Sequence, residues 1–301
     1  MTEPSAPVTA LLRASLTLAR KRAFRHLLYV SDLPPPELLD PVRRKIVQAV
    51  TSEAHRRAAG ALGLQALLLP AYDLSRSEKL KLALVAGLAR GLFRARETLL
   101  GLASARPTGY PDTLQVLTVG GGEGDDAAFT SLKNLGGDEA PEVVEALVEL
   151  AVSVGAEGWE GTPLGALFVY GDSQRVMERS RQLTLNPFQG YPEAERNLLS
   201  PEIRDAVRGF ATLDGAFVVR EDGVVLAAGR YLNISASRAA EGSEVIKLPL
   251  GLGARHMAAA LTSLSTRALA VAVSQTTGTV RLFRRGRVIL EIRPQRRRQK
   301  G

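Results

Sequence analysis

Three short stretches of the 301-residue chain join polar or glycine residues to the end of an apolar run. The first is Asp214-Gly215-Ala216, a carboxylate at the mouth of the β-rich run Phe217-Val218-Val219-Arg220. The second is Gly251-Leu252-Gly253-Ala254-Arg255-His256-Met257-Ala258, in which glycines lead into a helix carrying arginine and histidine. Backbone N–H groups at a helix start, next to a guanidinium, make an anion site. The third is Ser274-Gln275-Thr276-Thr277-Gly278, a polar tight turn between two strands. Each also has a plainer reading. Aspartate is common in turns at strand starts, a helix can begin with exposed basic residues, and the third stretch alone is a hairpin loop. Spacing leaves both readings open.

The elements that must position these residues fall into two halves. In the first, residues 24–30 (FRHLLYV) form a short apolar run, and residues 41–62 have helical spacing with Ile46, Val47, Val50, Ala54 and Ala58 on one side. Residues 65–70 (QALLLP) read as a buried strand, 75–102 as one long amphipathic helix opened by Ser75 and Ser77, and 113–119 as a further strand. Strands alternating with helices predict a parallel sheet covered by helices. Residues 120–126 (GGGEGDD) hold three acids that would repel phosphate, so they read as a linker and not a phosphate loop. The domain boundary is expected between Gly120 and Pro141.

The second half opens with a helix over 141–154 closed by Gly155, followed by strands over 164–170, 215–220, 224–228, 269–273, 280–283 and 288–292. Helices over 201–209 and 258–265 interleave with them. Asp222-Gly223 and Arg285-Gly286 sit between β-rich runs as hairpin turns. A mixed α/β domain with much antiparallel pairing is expected.

Taken in order, the segments of residues 141–294 resemble a diadenylate cyclase (DAC) domain. The resemblance is carried by residues 160–172 (EGTPLGALFVYGD), 186–191 (NPFQGY), Asp214-Gly215-Ala216, Gly229-Arg230-Tyr231-Leu232, the Arg255-His256 segment and Val273-Ser274. The first half resembles the carboxy-terminal α/β domain of pyruvate kinase, a pairing similar to the archaeal-type diadenylate cyclases. The resemblance implies residues 1–135 as a pyruvate kinase C-terminal-like regulatory or oligomerising domain, 136–294 as the cyclase domain and 295–301 as a basic tail. It implies condensation of two ATP into cyclic di-AMP between two facing domains, with Mn²⁺ or Mg²⁺ as cofactor and a homodimer or higher oligomer as the active form.

In that reading Asp214 orients or deprotonates the 3′-hydroxyl and assists the metal, while Arg255 and His256 clamp the triphosphate. Gly215 lets the backbone approach the nucleotide, Leu232 packs against adenine, and Ser274 and Gln275 border nucleotide and metal. Ala216, Gly253, Ala254, Met257 and Ala258 complete the nucleotide-binding set. The family's Gly-Thr-Arg-His-Arg reads here Gly253-Ala254-Arg255-His256-Met257, and its Ser-Glu-Glu reads Ser274-Gln275-Thr276. The alternative is a regulator that binds ATP or cyclic di-AMP on the same fold without turnover.

Composition bounds the rest. The chain is 45% hydrophobic and 23% charged, as a globular protein is. It has no cysteine, which removes disulfides, thiolate zinc sites and cysteine nucleophiles. Its three histidines, His26, His55 and His256, are never at metal-ligand spacing. No stretch approaches the roughly 18 apolar residues of a membrane helix, and the amino terminus lacks a basic signal-peptide region, so a cytoplasmic protein without membrane contact is expected. Residues 284–301 hold eight Lys/Arg against one acid, Glu291, nearly the whole net charge of +8. No aromatic residue follows Phe283 to stack on bases, so a solvated terminus is preferred over a nucleic-acid arm.

Overall fold

The computed structural model describes residues 3–94, 97–119, 140–233 and 253–295. The chain divides into two compact units, Met1–Lys133 and Asn134–Gly301. The glycine-acid run at 120–126, Gly251, Leu252 and residues 296–301 lie outside the described residues. Among those described, no helix is long and apolar enough to cross a membrane.

The first unit has helices α1 (Ala6–Ala19), α2 (Glu53–Ala61) and α3 (Arg76–Ala89) and strands β1 (Leu27–Val30), β2 (Ile46–Val50), β3 (Gln65–Leu68), β4 (Thr98–Ala103) and β5 (Thr113–Thr118). The sheet order is β3-β2-β1-β4-β5. Its first four strands are parallel and β5 runs antiparallel to β4. Two expected helices are corrected. Residues 41–62 contain the end of a 3₁₀ helix (Glu37–Lys45), strand β2 and helix α2. Ile46-Val47-Gln48-Ala49-Val50 is buried throughout and paired on both sides, and a short continuous apolar run fits a central parallel strand as well as a helix face. Ser52 then caps α2 by accepting from the His55 N–H.

The long helix expected over 75–102 stops at Ala89. Ser75 and Glu78 form its capping box, as the serine suggested. Beyond it Gly91 takes a left-handed φ of 67°, the usual way a helix is ended, and Thr98–Ala103 become β4.

The second unit is built on helices α4 (Pro141–Glu157), α5 (Ser173–Glu178), α6 (Pro201–Phe210) and α7 (Ala254–Ser265). Its strands are β6 (Ala166–Tyr170), β7 (Ser180–Gln182), β8 (Ala216–Val219), β9 (Val225–Leu232), β10 (Leu269–Val273), β11 (Val280–Arg284) and β12 (Arg287–Ile292). They form one mixed sheet ordered β12-β11-β10-β6-β8-β9-β7. Only β6 and β8 pair in parallel; every other pair is antiparallel. Both expected hairpins form. At the second turn Arg285 and Gly286 both have positive φ, 50° and 76°, the geometry that matches the strand twist.

On one face Leu167, Val169, Ala216, Val218, Ala270 and Ala272 pack against Ala259 and Ala260 of α7. Strand β7 was not expected; three residues are too short for a periodic signal. Helix α7 starts at Ala254, four residues before its expected start, which places Arg255 and His256 in its first turn. Helix α4 runs to Glu157 and is closed by Gly158 at φ 65°, not by Gly155. Gly155 lies inside the helix for another reason: a Cβ there would sit 2.2 Å from the Gly278 carbonyl oxygen. The helix and the turn after β10 touch through bare backbone.

The strand directions bring five termini to one end of the sheet. They are the starts of β8, β6 and β11 and the ends of β10 and β12. Replacing Gly155 by alanine separates two forces of opposite sign. Helix propensity would add about 1 kcal/mol of stability, whereas collision with the turn costs on the order of 1–3 kcal/mol. The expected outcome is a lower denaturation midpoint; a higher one would show that the close approach to Gly278 is not a constraint.

Candidate active site

A cavity of about 730 Å³ opens at that end of the second sheet, and the three polar segments meet in it. Seven of the twelve expected site residues line it: Asp214, Gly253, Ala254, Arg255, His256, Ser274 and Gln275. Gly215, Ala216, Leu232, Met257 and Ala258 do not. Asp214 is contributed by the entry to β8, Gly253 to His256 by the start of α7, and Ser274 and Gln275 by the turn after β10.

Gly253 is the N-cap of α7, in extended conformation and with no side-chain cap on the first turn. A helix start leaves N–H groups without intrahelical acceptors, and here they stand at the cavity wall beside Arg255. The Arg255 Nη2 lies 3.6 Å from the Asp214 Oδ1, too far for a hydrogen bond. The Asp214 side chain is 88% exposed. The cation and the carboxylate therefore form a loose, solvent-exposed ion pair facing the same space, with no hydrogen bond between them. Room for Arg255 comes from Gly165, just ahead of β6, where a Cβ would lie 3.0 Å from Arg255 Nη1 and 3.1 Å from Gln275 Cβ.

The turn after β10 closes on itself. Ser274 N–H donates to Thr279 O at 2.9 Å, Gly278 N–H to Ser274 O at 2.8 Å, and the Ser274 and Thr276 hydroxyls lie 3.1 Å apart. It offers hydroxyl and amide groups but no acid. Among the residues lining the cavity, Asp214 is the one carboxylate, and among the described residues no cluster of three His, Cys, Asp or Glu could hold a metal ion. The donor set fits a hard divalent cation only if phosphate oxygens and water complete its shell around Asp214, the usual arrangement for Mg²⁺ with nucleotides.

His256 is buried at 4% exposure. Its ring lies edge-on to Phe283, and its Nε2 is 3.2 Å from Arg281 Nη1. A guanidinium can only donate, so Nε2 accepts and the ring's proton belongs on Nδ1. Burial first, and the Arg281 charge second, push its pKa down to about 4, with Glu291 pulling the other way. His256 therefore enters the cavity wall as a neutral ring and adds no positive charge at neutral pH.

Three residues that sequence reasoning missed complete this wall. Arg281 and Arg293 line the cavity, and Glu291 holds both. Its Oε2 accepts from Arg281 Nε at 2.6 Å and its Oε1 from Arg293 Nε at 2.8 Å. Burial pushes the Glu291 carboxyl up, but Arg281 and Arg293 outweigh it and hold the group below the usual carboxylate range. Counting back from the Arg285-Gly286 turn would pair Arg281 with Leu290. A bulge between Leu282 and Phe283 shifts the register so that Arg281 opposes Glu291.

The five residues outside the cavity have structural places. Gly215, at φ 102°, is required by its own sheet, since a Cβ would lie 2.8 Å from the Arg230 nitrogen and the Gly229 carbonyl carbon. Ala216 is fully buried in β8. Leu232 and Ala258 are partly buried against the α7 core cluster, and Met257 is 44% exposed.

Residues 153–288 match the DAC family model, described as DisA bacterial checkpoint controller nucleotide-binding. Two curated relatives are named diadenylate cyclase. The one from Methanocaldococcus jannaschii is 36% identical over 157 residues, covering 52% of this chain and 47% of the relative. The one from Haloferax volcanii is 39% identical over 155 residues, covering 52% and 54%. The chain spans about half the length of the curated relatives it matches. A crystal structure of DacA from Staphylococcus aureus aligns with TM-score 0.34 and 22% identity, covering 49% of this chain and 84% of that one, a likeness too loose to argue from.

The environment of His256 sets a pH dependence of stability. An unfolded histidine titrates near 6.5, and this one titrates near 4 when folded. The unfolded chain therefore takes up the proton first, and stability is lost as pH falls from 6.5 toward 4. Between pH 7 and pH 5 the loss from this group is about 2 kcal/mol. Denaturant unfolding at the two pH values should show a smaller loss for His256→Gln than for the wild type; equal losses would refute the buried neutral ring.

Proposed function

We propose that the DAC domain of this chain, matched over residues 153–288, is a diadenylate cyclase that makes cyclic di-AMP from two ATP and releases two pyrophosphates. The observation that carries this reading is the placement of Asp214 and Arg255, an open ion pair with no hydrogen bond between them, at one cavity mouth beside the start of α7, which has no side-chain cap. A cation, helix N–H groups and a carboxylate converging on one space suit a polyphosphate beside a hydroxyl that must be turned toward phosphorus.

Phosphoryl-type transfer asks the protein chiefly for in-line positioning and charge neutralisation. The 3′-oxygen of each ATP forms a bond to the α-phosphorus of the other, and the bond from that phosphorus to the oxygen bridging to the β-phosphate breaks. Pyrophosphate leaves with that oxygen. The hydroxyl proton passes toward the Asp214 carboxylate, which also holds the hydroxyl in line. Two such steps close the ring. Arg255 and the first N–H groups of α7 hold the phosphates while charge moves to the leaving group. A divalent cation, Mn²⁺ or Mg²⁺, would be held by Asp214 with phosphate oxygens and water, and when bound it neutralises phosphate charge.

The family resemblance implies one ATP per domain, so the proposed reaction needs a second domain facing the first and a homodimer or larger assembly. The exposure of Asp214 supports this, since a buried carboxylate could not reach a nucleotide carried by another domain. The catalytic domain would comprise residues 136–294, with residues 1–135 as a regulatory or assembling domain. A cytoplasmic location belongs to this proposal, because ATP is its substrate.

The test is incubation of the full chain with ATP and Mg²⁺ or Mn²⁺, followed by chromatographic separation of the nucleotides. Cyclic di-AMP should accumulate, and Asp214→Asn should lower its rate by ~10²-fold or more, the usual worth of a positioned acid–base group. No product with either metal, or an unchanged rate in the variant, would contradict the proposal.

A further inference from the structure

The cavity has an order imposed by the sheet. Asp214 stands at β8, Gly165 and Gln275 mark β6 and β10 below Arg255, Arg281 is on β11, and Arg293 follows β12. Neighbouring strands lie about 4.8 Å apart, so the wall from Arg255 to Arg293 covers two to three strand spacings, on the order of 10–14 Å. Along it the charge runs from one carboxylate to three guanidiniums.

The far pair is built with some care. Glu291 takes one guanidinium on each of its two oxygens, which leaves the group of three with one net positive charge. Arg293 is 70% exposed, and an ion pair so open to solvent contributes little to folding. Its guanidinium therefore stands open to a ligand in the cavity as well as to Glu291. Arg281 is more deeply set, at 16% exposure, and its Nη1 also meets His256. The clip points one fixed and one accessible guanidinium at the end of the cavity farthest from the group proposed to orient the hydroxyl.

We propose that Arg281 and Arg293, joined by Glu291, form the subsite for the β- and γ-phosphates of the substrate and for the pyrophosphate they become. This subsite selects a nucleoside triphosphate over shorter nucleotides. The inference rests on the diadenylate cyclase reading, because only there does a triphosphate enter with its α-phosphorus beside Asp214. Planar guanidiniums suit this task, since each presents paired N–H donors to phosphate oxygens.

Calorimetric binding to the full chain tests it with four probes: a non-hydrolysable α,β-methylene ATP, inorganic pyrophosphate, AMP and cyclic di-AMP. Arg293→Ala should weaken the ATP analogue and pyrophosphate by about tenfold, the loss of one charge-assisted contact, and leave AMP and cyclic di-AMP within twofold. Arg293→Lys should recover part of the loss. Equal weakening of all four probes, or none for the ATP analogue, would overturn the subsite. The wild type separately tests the parent reading, for if it binds neither the ATP analogue nor cyclic di-AMP, that reading fails whatever the variants do.

Discussion

Strand β10 is the constraint on which the second unit depends. It pairs antiparallel with β6 on one side, Val273 level with Ala166, and antiparallel with β11 on the other, Val273 level with Val280. That register sets Gly165, Ser274 and Thr279 side by side at one sheet end and puts Arg281 level with Ala272. All five residues of β10 are buried, so a slip by one residue would exchange its two faces at the cost of the core. Ala270 and Ala272 face Ala259 and Ala260 of α7. Small residues on both sides let the helix come close, and its first turn then reaches the same sheet end.

Burial decides how charge is spread over the site. His256 lies under the wall and is kept neutral by desolvation and by Arg281, while Arg255 remains half exposed beside an exposed Asp214. Glu291 offsets one guanidinium of the Arg281–Arg293 pair and holds both in place. The cavity is positive overall, with a carboxylate at one end only. Two glycines admit the groups: Gly165 leaves room for Arg255, and Gly155 lets α4 meet the turn that carries Ser274 and Gln275.

Much of this was legible in the sequence, and the failures have physical causes. Strong local signals held. Asp222-Gly223 and Arg285-Gly286 made their hairpins, Ser75 capped its helix, and the Asp214, Arg255 and Ser274 segments met in one cavity. Residues 46–50 were read as helix because a five-residue apolar run carries no period of its own, and burial on both faces makes it a strand. Gly155 was taken for a helix end when its role is to yield space to Gly278, a contact 123 positions away along the chain. Gly215 also has a structural demand that the sequence did not reveal, since a Cβ there would meet the backbone of Gly229 and Arg230. Glu291 and Arg293 escaped notice because a basic run near a terminus resembles a solvated face, and Arg281 because a bulge at Ile289 of β12 conceals the register that pairs it with Glu291.

The most direct test of the account is a crystal structure of the full chain with a non-hydrolysable ATP analogue bound. The account predicts the triphosphate along the end of the second sheet, its α-phosphorus near Asp214 and Arg255 and its γ-phosphate within reach of Arg293. A nucleotide seated at the opposite end of that sheet, or in the first unit alone, would contradict it.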